Sequence, residues 1–183
     1  MNHDVKVVAG NHDRWLLEDR VRHIPHAHHR ADFSQDELAF LNGLPRQLSI
    51  PSDFGQLQLC HGVADNDLQK VWPGTERLPA ERSELLDQII AEQEIRYVIN
   101  GHMHYRTVIH FEQMTLINAG TLKADHRPGF ALLDLATQTV TGFEFDSLPN
   151  PVKSIPTEAQ SEYRVFQDTQ AFAGDWQAVT LYA

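Results

Sequence analysis

Residues 5–13 read Val5-Lys6-Val7-Val8-Ala9-Gly10-Asn11-His12-Asp13. A β-branched run stops at Ala9-Gly10 and is followed at once by three side chains that donate, accept or ligate. Branched side chains favour extended backbone, so Val5–Val8 predicts a buried strand delivering Asn11, His12 and Asp13 to a loop at its carboxyl end. The tripeptide Asn-His-Asp also occurs at residues 2–4. That copy precedes the strand, at its opposite end, and reads as a polar turn.

Two further segments repeat the arrangement. Gln56-Leu57-Gln58-Leu59-Cys60 alternates polar and apolar, then meets His61-Gly62. Ile95 to Ile99 runs into Asn100-Gly101-His102-Met103-His104. Helical patterns lie between these strands. Residues 32–44 place Leu38, Leu41 and Leu44 at helical spacing behind a Ser34/Glu37 capping box, and Pro45 ends them. Residues 80–94 carry Leu85, Leu86, Ile89 and Ile90 on one face. Residues 66–79, with two prolines and Gly74, read as a long irregular connection.

After residue 104 the pattern turns to strands without helices: residues 107–111, 114–118, 130–134 and 140–145, expected as an antiparallel meander. Residues 1–146 are therefore expected to form one domain. Residues 147–183, with three prolines from Pro149 onward and scattered aromatics such as Tyr163, Phe166, Phe172, Trp176 and Tyr182, are expected to pack as an extension on that domain or on a partner.

Alternation of strand and helix puts the three polar loops on one edge of one sheet, where layered α/β proteins bind ligands. Asn11, His61, His102 and His104 offer imidazole nitrogens and an amide oxygen with no thiolate, a set suited to a borderline or hard dication. Cys60 is expected to turn into the core. The cluster His23-Ile24-Pro25-His26-Ala27-His28-His29 reads as a solvated loop, with a substrate-facing role as the alternative.

The chain has 183 residues, 42% hydrophobic and 22% charged, which fits one soluble domain with a sizeable core. Its net charge of -10 argues against a nucleic-acid backbone or an anionic membrane as partner. One cysteine permits no internal disulfide, which suits a reducing, cytoplasmic setting. No leader-like stretch opens the sequence, and no stretch approaches the ~20 apolar residues of a membrane span.

The blocks Val8-Ala9-Gly10-Asn11-His12-Asp13, Leu59-Cys60-His61-Gly62 and Gly101-His102-Met103-His104 resemble, in order, three blocks of the calcineurin-like metallophosphoesterase superfamily. Ile117-Asn118-Ala119-Gly120-Thr121 resembles the block that follows. Residues 5–146 as a whole are similar to the small bacterial phosphoesterases. The resemblance implies an α/β fold, a β-sandwich flanked by helices. It also implies a phosphoester hydrolase, phosphatase or phosphodiesterase, with two divalent ions drawn from Mn, Fe, Zn, Co or Mg. On that resemblance Asn11, His61 and His102 would ligate the second ion and His104 the first. His12 would protonate the leaving oxygen, Asp13 would orient its ring, and Arg14 would contact a phosphate oxygen or else form a surface ion pair. The substrate would be a phosphorylated small molecule, a nucleotide or a phosphoprotein.

The family pattern has two earlier blocks, Asp-x-His and Gly-Asp-x-x-Asp, which supply most of the first ion's ligands and the bridging carboxylate. Neither occurs in these 183 residues. Asp125-His126 and Gly174-Asp175 do not replace them. Reduced metal occupancy is therefore expected, together with a fragment lacking N-terminal strands that a complementing N-terminal half or an oligomer could supply. The alternative is a catalytically inactive scaffold or binding module of the same fold.

Overall fold

The computed structural model describes residues 4–20, 27–71, 83–104, 106–111, 114–123, 128–145 and 152–156. Among these described residues three α-helices, α1 (Asn11–Leu17), α2 (Gln35–Gly43) and α3 (Glu84–Glu92), accompany eight strands. The strands are β1 (Gln47–Ile50), β2 (Gln56–Cys60), β3 (Ile95–Asn100), β4 (Arg106–His110), β5 (Thr115–Ala119), β6 (Gly129–Asp134), β7 (Thr139–Phe145) and β8 (Val152–Pro156).

The first five form one mixed sheet in the order β1-β2-β3-β5-β4. β2, β3 and β5 run parallel, and β1 and β4 are antiparallel edges. Alternation along the strands then sorts the core into two layers. Cys60, Val98, Ile109 and Leu116 join Leu86 and Ile89 of α3 on one face. Leu57, Tyr97, Val108 and Ile117 face the other way, against Ala131, Leu133 and Val140 of a second, antiparallel sheet β6-β7-β8. The layers are thus helix, mixed sheet, antiparallel sheet, which is the α/β sandwich the resemblance implies.

Local chemistry sets the helix ends. Ser34 Oγ accepts the Glu37 N–H at 3.3 Å, and Glu37 accepts the Ser34 N–H at 2.8 Å, closing the capping box read from sequence. Ser83 Oγ accepts the Leu86 N–H at 3.2 Å to start α3, and Gln93, at φ 57°, stops it. Residues 80–82, where the sequence pattern began this helix, lie outside the described residues, as do residues 1–3, 23–26 and 72–79.

Two expectations are corrected. Val5–Val8 is not a buried strand: Val5 is 73% and Val7 41% exposed, and the run joins no ladder among the described residues. A strand needs a ladder of backbone bonds, and the chain next to this run is tied instead by the Ala9 N–H donating to Pro45 O at 2.8 Å, in the turn before β1. The late strands are not one meander. β5 inserts parallel to β3, and only β6, β7 and β8 form a separate antiparallel set. No helix among the described residues is long and apolar enough to cross a membrane.

Leu86 has no exposed surface at the centre of the α3 layer. Leu86→Ala should cost about 2–5 kcal/mol in urea unfolding. A loss well under 1 kcal/mol would mean that α3 does not seal this face.

Candidate functional site

Because β2 and β3 are parallel, His61 and His102 emerge at the same sheet edge. The Gly101 N–H donates to His61 O at 3.0 Å, carrying the pairing one residue past the strands. α1 then lays its first residue over this edge. The His61 imidazole Nε2–H donates to Asn11 Oδ1 at 2.7 Å, and the same Nε2 lies 3.3 Å from His102 Nδ1. The two rings meet edge to face, centroids 5.2 Å apart. Asn11, His61 and His102 are therefore brought together from three distant segments. Close approach requires glycine here, since a Cβ at Gly10 would sit 2.8 Å from His61 Nδ1.

His102 and His104 both take left-handed backbone angles, φ 64° and 63°, and the Met103 N–H folds back to Gly101 O at 2.7 Å. Non-glycine residues rarely adopt that region, and such strain gathers at functional loops. The loop is held from behind. Asn100 and Asn118, paired in register, are buried strand-end amides. Asn100 Nδ2 donates to Gly62 O at 2.9 Å, and Asn118 donates to Gly101 O.

His12 is exposed at the start of α1, its ring tilted on Trp15 with centroids 5.0 Å apart. The Gly10 N–H donates to the Asp13 carboxylate at 2.7 Å, so Asp13 caps the helix. Arg14 is engaged: its Nε and Nη2 donate to the two oxygens of Asp67 at 2.7 and 2.8 Å, and Nη1 reaches Glu18 at 3.5 Å. The ion-pair reading of Arg14 thus has its geometry in Asp67, a residue that no sequence signal marks.

Burial lowers the His61 pKa, against the pull of Asp13 and Asp67. Burial, then the charge of His61, lowers that of His102. Both shifts favour neutral imidazole, the form that ligates metals. Around an ion with ligand bonds of about 2.1 Å, neighbouring donor atoms lie roughly 3 Å apart. The 2.7 and 3.3 Å separations suit such a shell. The set is nevertheless partial. Among the described residues no three His, Cys, Asp or Glu side chains are placed to hold an ion, because this set counts two imidazoles and one amide.

A mixed sheet layered between a helix and a second sheet, with histidine loops at its carboxyl edge, defines a layered α/β protein. The sequence matches the calcineurin-like phosphoesterase superfamily domain over residues 1–138, and the chain belongs to that superfamily. Among solved structures, a hypothetical protein from Pyrococcus horikoshii OT3 is similar with a TM-score of 0.57 and 16% identity, over 94% of this chain and 67% of its own. Vacuolar protein sorting 29 from Cryptosporidium parvum gives 0.40 and 18%, over 61% of this chain and 56% of its own. A novel archaeal phosphodiesterase gives 0.34 and 16%, over 72% and 64%. No curated protein matches the sequence.

Two outcomes test this edge. Burial pushes the Cys60 thiol up to about 11, so a thiol reagent at pH 8 should leave native Cys60 untouched and label it fully in urea. Labelling of the native protein would place Cys60 outside the core. The Arg14 hydrogen bonds hold Asp67 below the usual carboxylate range. A depressed folded pKa gives stability that is complete above the unfolded value of about 4 and is lost as pH falls through the folded one. Urea midpoints of the native chain should therefore fall more steeply below about pH 4 than those of Asp67→Asn; equal slopes would show that the pair is not formed.

Proposed function

We propose that this chain supplies the histidine-bearing part of a metal-dependent phosphoester hydrolase, a phosphatase or phosphodiesterase. The observation that carries this reading is the convergence of Asn11 Oδ1, His61 Nε2 and His102 Nδ1 at the carboxyl edge of the sheet. Those three residues would hold one divalent ion, with His104 offered to a second. Such an ion supplies Lewis-acid charge for a phosphoryl oxygen and lowers the pKa of a bound water.

The chain's own groups do the rest. His12, exposed and backed by Trp15, is placed to hold a proton for the leaving oxygen. Asp13 fixes the first turn of α1 and so sets where His12 stands. Arg14 is occupied by Asp67 and does not take the phosphate in this reading. The substrate class is a phosphorylated small molecule, a nucleotide or a phosphoprotein, and a reducing, cytoplasmic setting fits the single buried Cys60. The neutral donor set calls for carboxylates from elsewhere, from polypeptide adjoining the exposed Val5–Val8 run or from another chain.

The test uses Mn2+ with bis(p-nitrophenyl) phosphate. The 183 residues should bind Mn2+ weakly, and His61→Ala and His102→Ala should each weaken binding at least about 10-fold. Any metal-dependent turnover should drop about 100-fold in His12→Ala. Mn2+ binding indifferent to both histidine substitutions would sink the metal reading and favour the non-catalytic scaffold.

A further inference from the structure

We propose that Asp67 is a positioning residue for the candidate metal site: by clasping Arg14 it holds α1 so that Asn11 meets His61. The ligand role of Asn11 rests on the reading above; the clasp itself rests on geometry alone.

Asp67 is well suited to the task because its own position is fixed. After β2 the chain turns tightly back. The Val63 N–H donates to Asn66 O at 3.1 Å and the Asn66 N–H to Val63 O at 3.0 Å. Asn66 Oδ1 accepts the Leu68 N–H at 3.1 Å. The turn lies so close over Gly62 that an added Cβ would be 2.2 Å from Asn66 O. Asp67 follows immediately and is only 6% exposed.

α1 is tied down at its two ends, where the Ala9 N–H donates to Pro45 O at 2.8 Å and Arg30 Nη1 donates to Leu17 O at 2.9 Å, bonds that leave the turn of its Asn11 face to other contacts. It spans seven residues, too few to hold as an isolated helix. The segment leading into it makes no ladder among the described residues. Asn11 and Arg14 are three apart and so share one face of α1. Both point at the loop following β2: Asn11 at His61, Arg14 at Asp67. A bidentate guanidinium–carboxylate pair fixes orientation as well as distance. Through it the rigid turn dictates how far and at what angle the Asn11 amide approaches the imidazole. A carboxylate chosen only to neutralise Arg14 would need neither this burial nor both oxygens.

The experiment follows the Asn11 side-chain amide by 1H–15N NMR, assigned by its loss in Asn11→Ala, and Mn2+ affinity by calorimetry. Asp67→Ala should move the Asn11 amide resonance towards its unstructured position and weaken Mn2+ binding about tenfold or more. Asp67→Glu, which keeps the carboxylate, should recover most of both. An unmoved Asn11 resonance in a folded Asp67→Ala protein overturns the proposal, as does a lowered melting temperature with Mn2+ affinity intact. If the unsubstituted chain binds no Mn2+, the metal reading fails, while the Asn11 resonance still decides the clasp. Should Asp67→Ala not fold, Arg14→Ala/Asp67→Ala, which leaves no unpaired buried charge, gives the same readout.

Discussion

Parallel pairing of β2 with β3 governs both the core and the candidate site. With Leu59 opposite Ile99, Cys60 and Val98 turn towards α3, while Leu57 and Tyr97 turn towards the second sheet. The same register carries His61 level with Gly101, one residue before His102. A slip by one residue would reverse the faces of a whole strand, which makes register a strongly specified quantity in a sheet buried on both sides. The position of the imidazoles is therefore a by-product of apolar sorting. No polar interaction has to find them; polar interactions only need to hold them.

That holding is done by backbone closeness and buried amides. The loop after β3 stores strain at His102 and His104, of order 1–3 kcal/mol for each left-handed residue. Single hydrogen bonds contribute roughly 1 kcal/mol apiece, so several are required to offset it. Asn100 and Asn118 supply them from beneath, and the Gly101 pairing to His61 supplies another. Asn100 Oδ1 has no partner among the described residues, so its amide is oriented by the Gly62 carbonyl on its other side. Opposite, the Arg14–Asp67 pair draws α1 down. The pair is part-buried, so removing one member should cost less than the ~3–5 kcal/mol of a fully buried pair, in which the other is left charged and unpaired.

Much of this was legible from residue order. β2 shows as a polar–apolar alternation stopped by His-Gly and β3 as a short run stopped by Asn-Gly-His, while α2 shows as an apolar stripe behind the Ser34 cap and α3 as an apolar stripe whose Ser83 cap only the structure reveals. Of the polar residues at those stops, the structure brings His61 and His102 together, with Asn11 from α1. Val5–Val8 misled because β-branched composition reports fitness for a pleated surface and not the presence of a neighbour to pair with. β1 was missed because four residues with one clear alternation, Gln47-Leu48-Ser49-Ile50, carry little signal. β5 pairs antiparallel with β4, as the meander expects, but has β3 on its other side in place of β6, because a parallel insertion is a long-range choice that local pattern does not encode. Asp67 was invisible for the same reason: Asn66-Asp67 reads as turn chemistry, and only the packing of α1 against that turn gives the carboxylate a partner 53 residues away.

The charge balance of the edge explains why the donor set matters. The chain carries a net charge of -10, Asp13 and Asp67 lie close enough to His61 to pull against the burial that lowers its pKa, and Arg14 is neutralised by Asp67 and Glu18. An anionic phosphoester approaching this edge meets no uncommitted guanidinium from α1. A bound cation would add to the attraction of Lys70, whose charge is felt at His102. Two imidazoles and an amide oxygen leave a dication's charge almost undiminished for the phosphate. The same neutrality would make them weaker ligands than carboxylates for a hard ion such as Mn2+, since a carboxylate adds a full charge where a neutral donor offers its dipole. Strong attraction for substrate and tight retention of the ion thus pull the ligand set in opposite directions. Carboxylates contributed beside the exposed Val5–Val8 run would move the compromise towards retention without disturbing the histidines, whose places the β2–β3 register has already fixed.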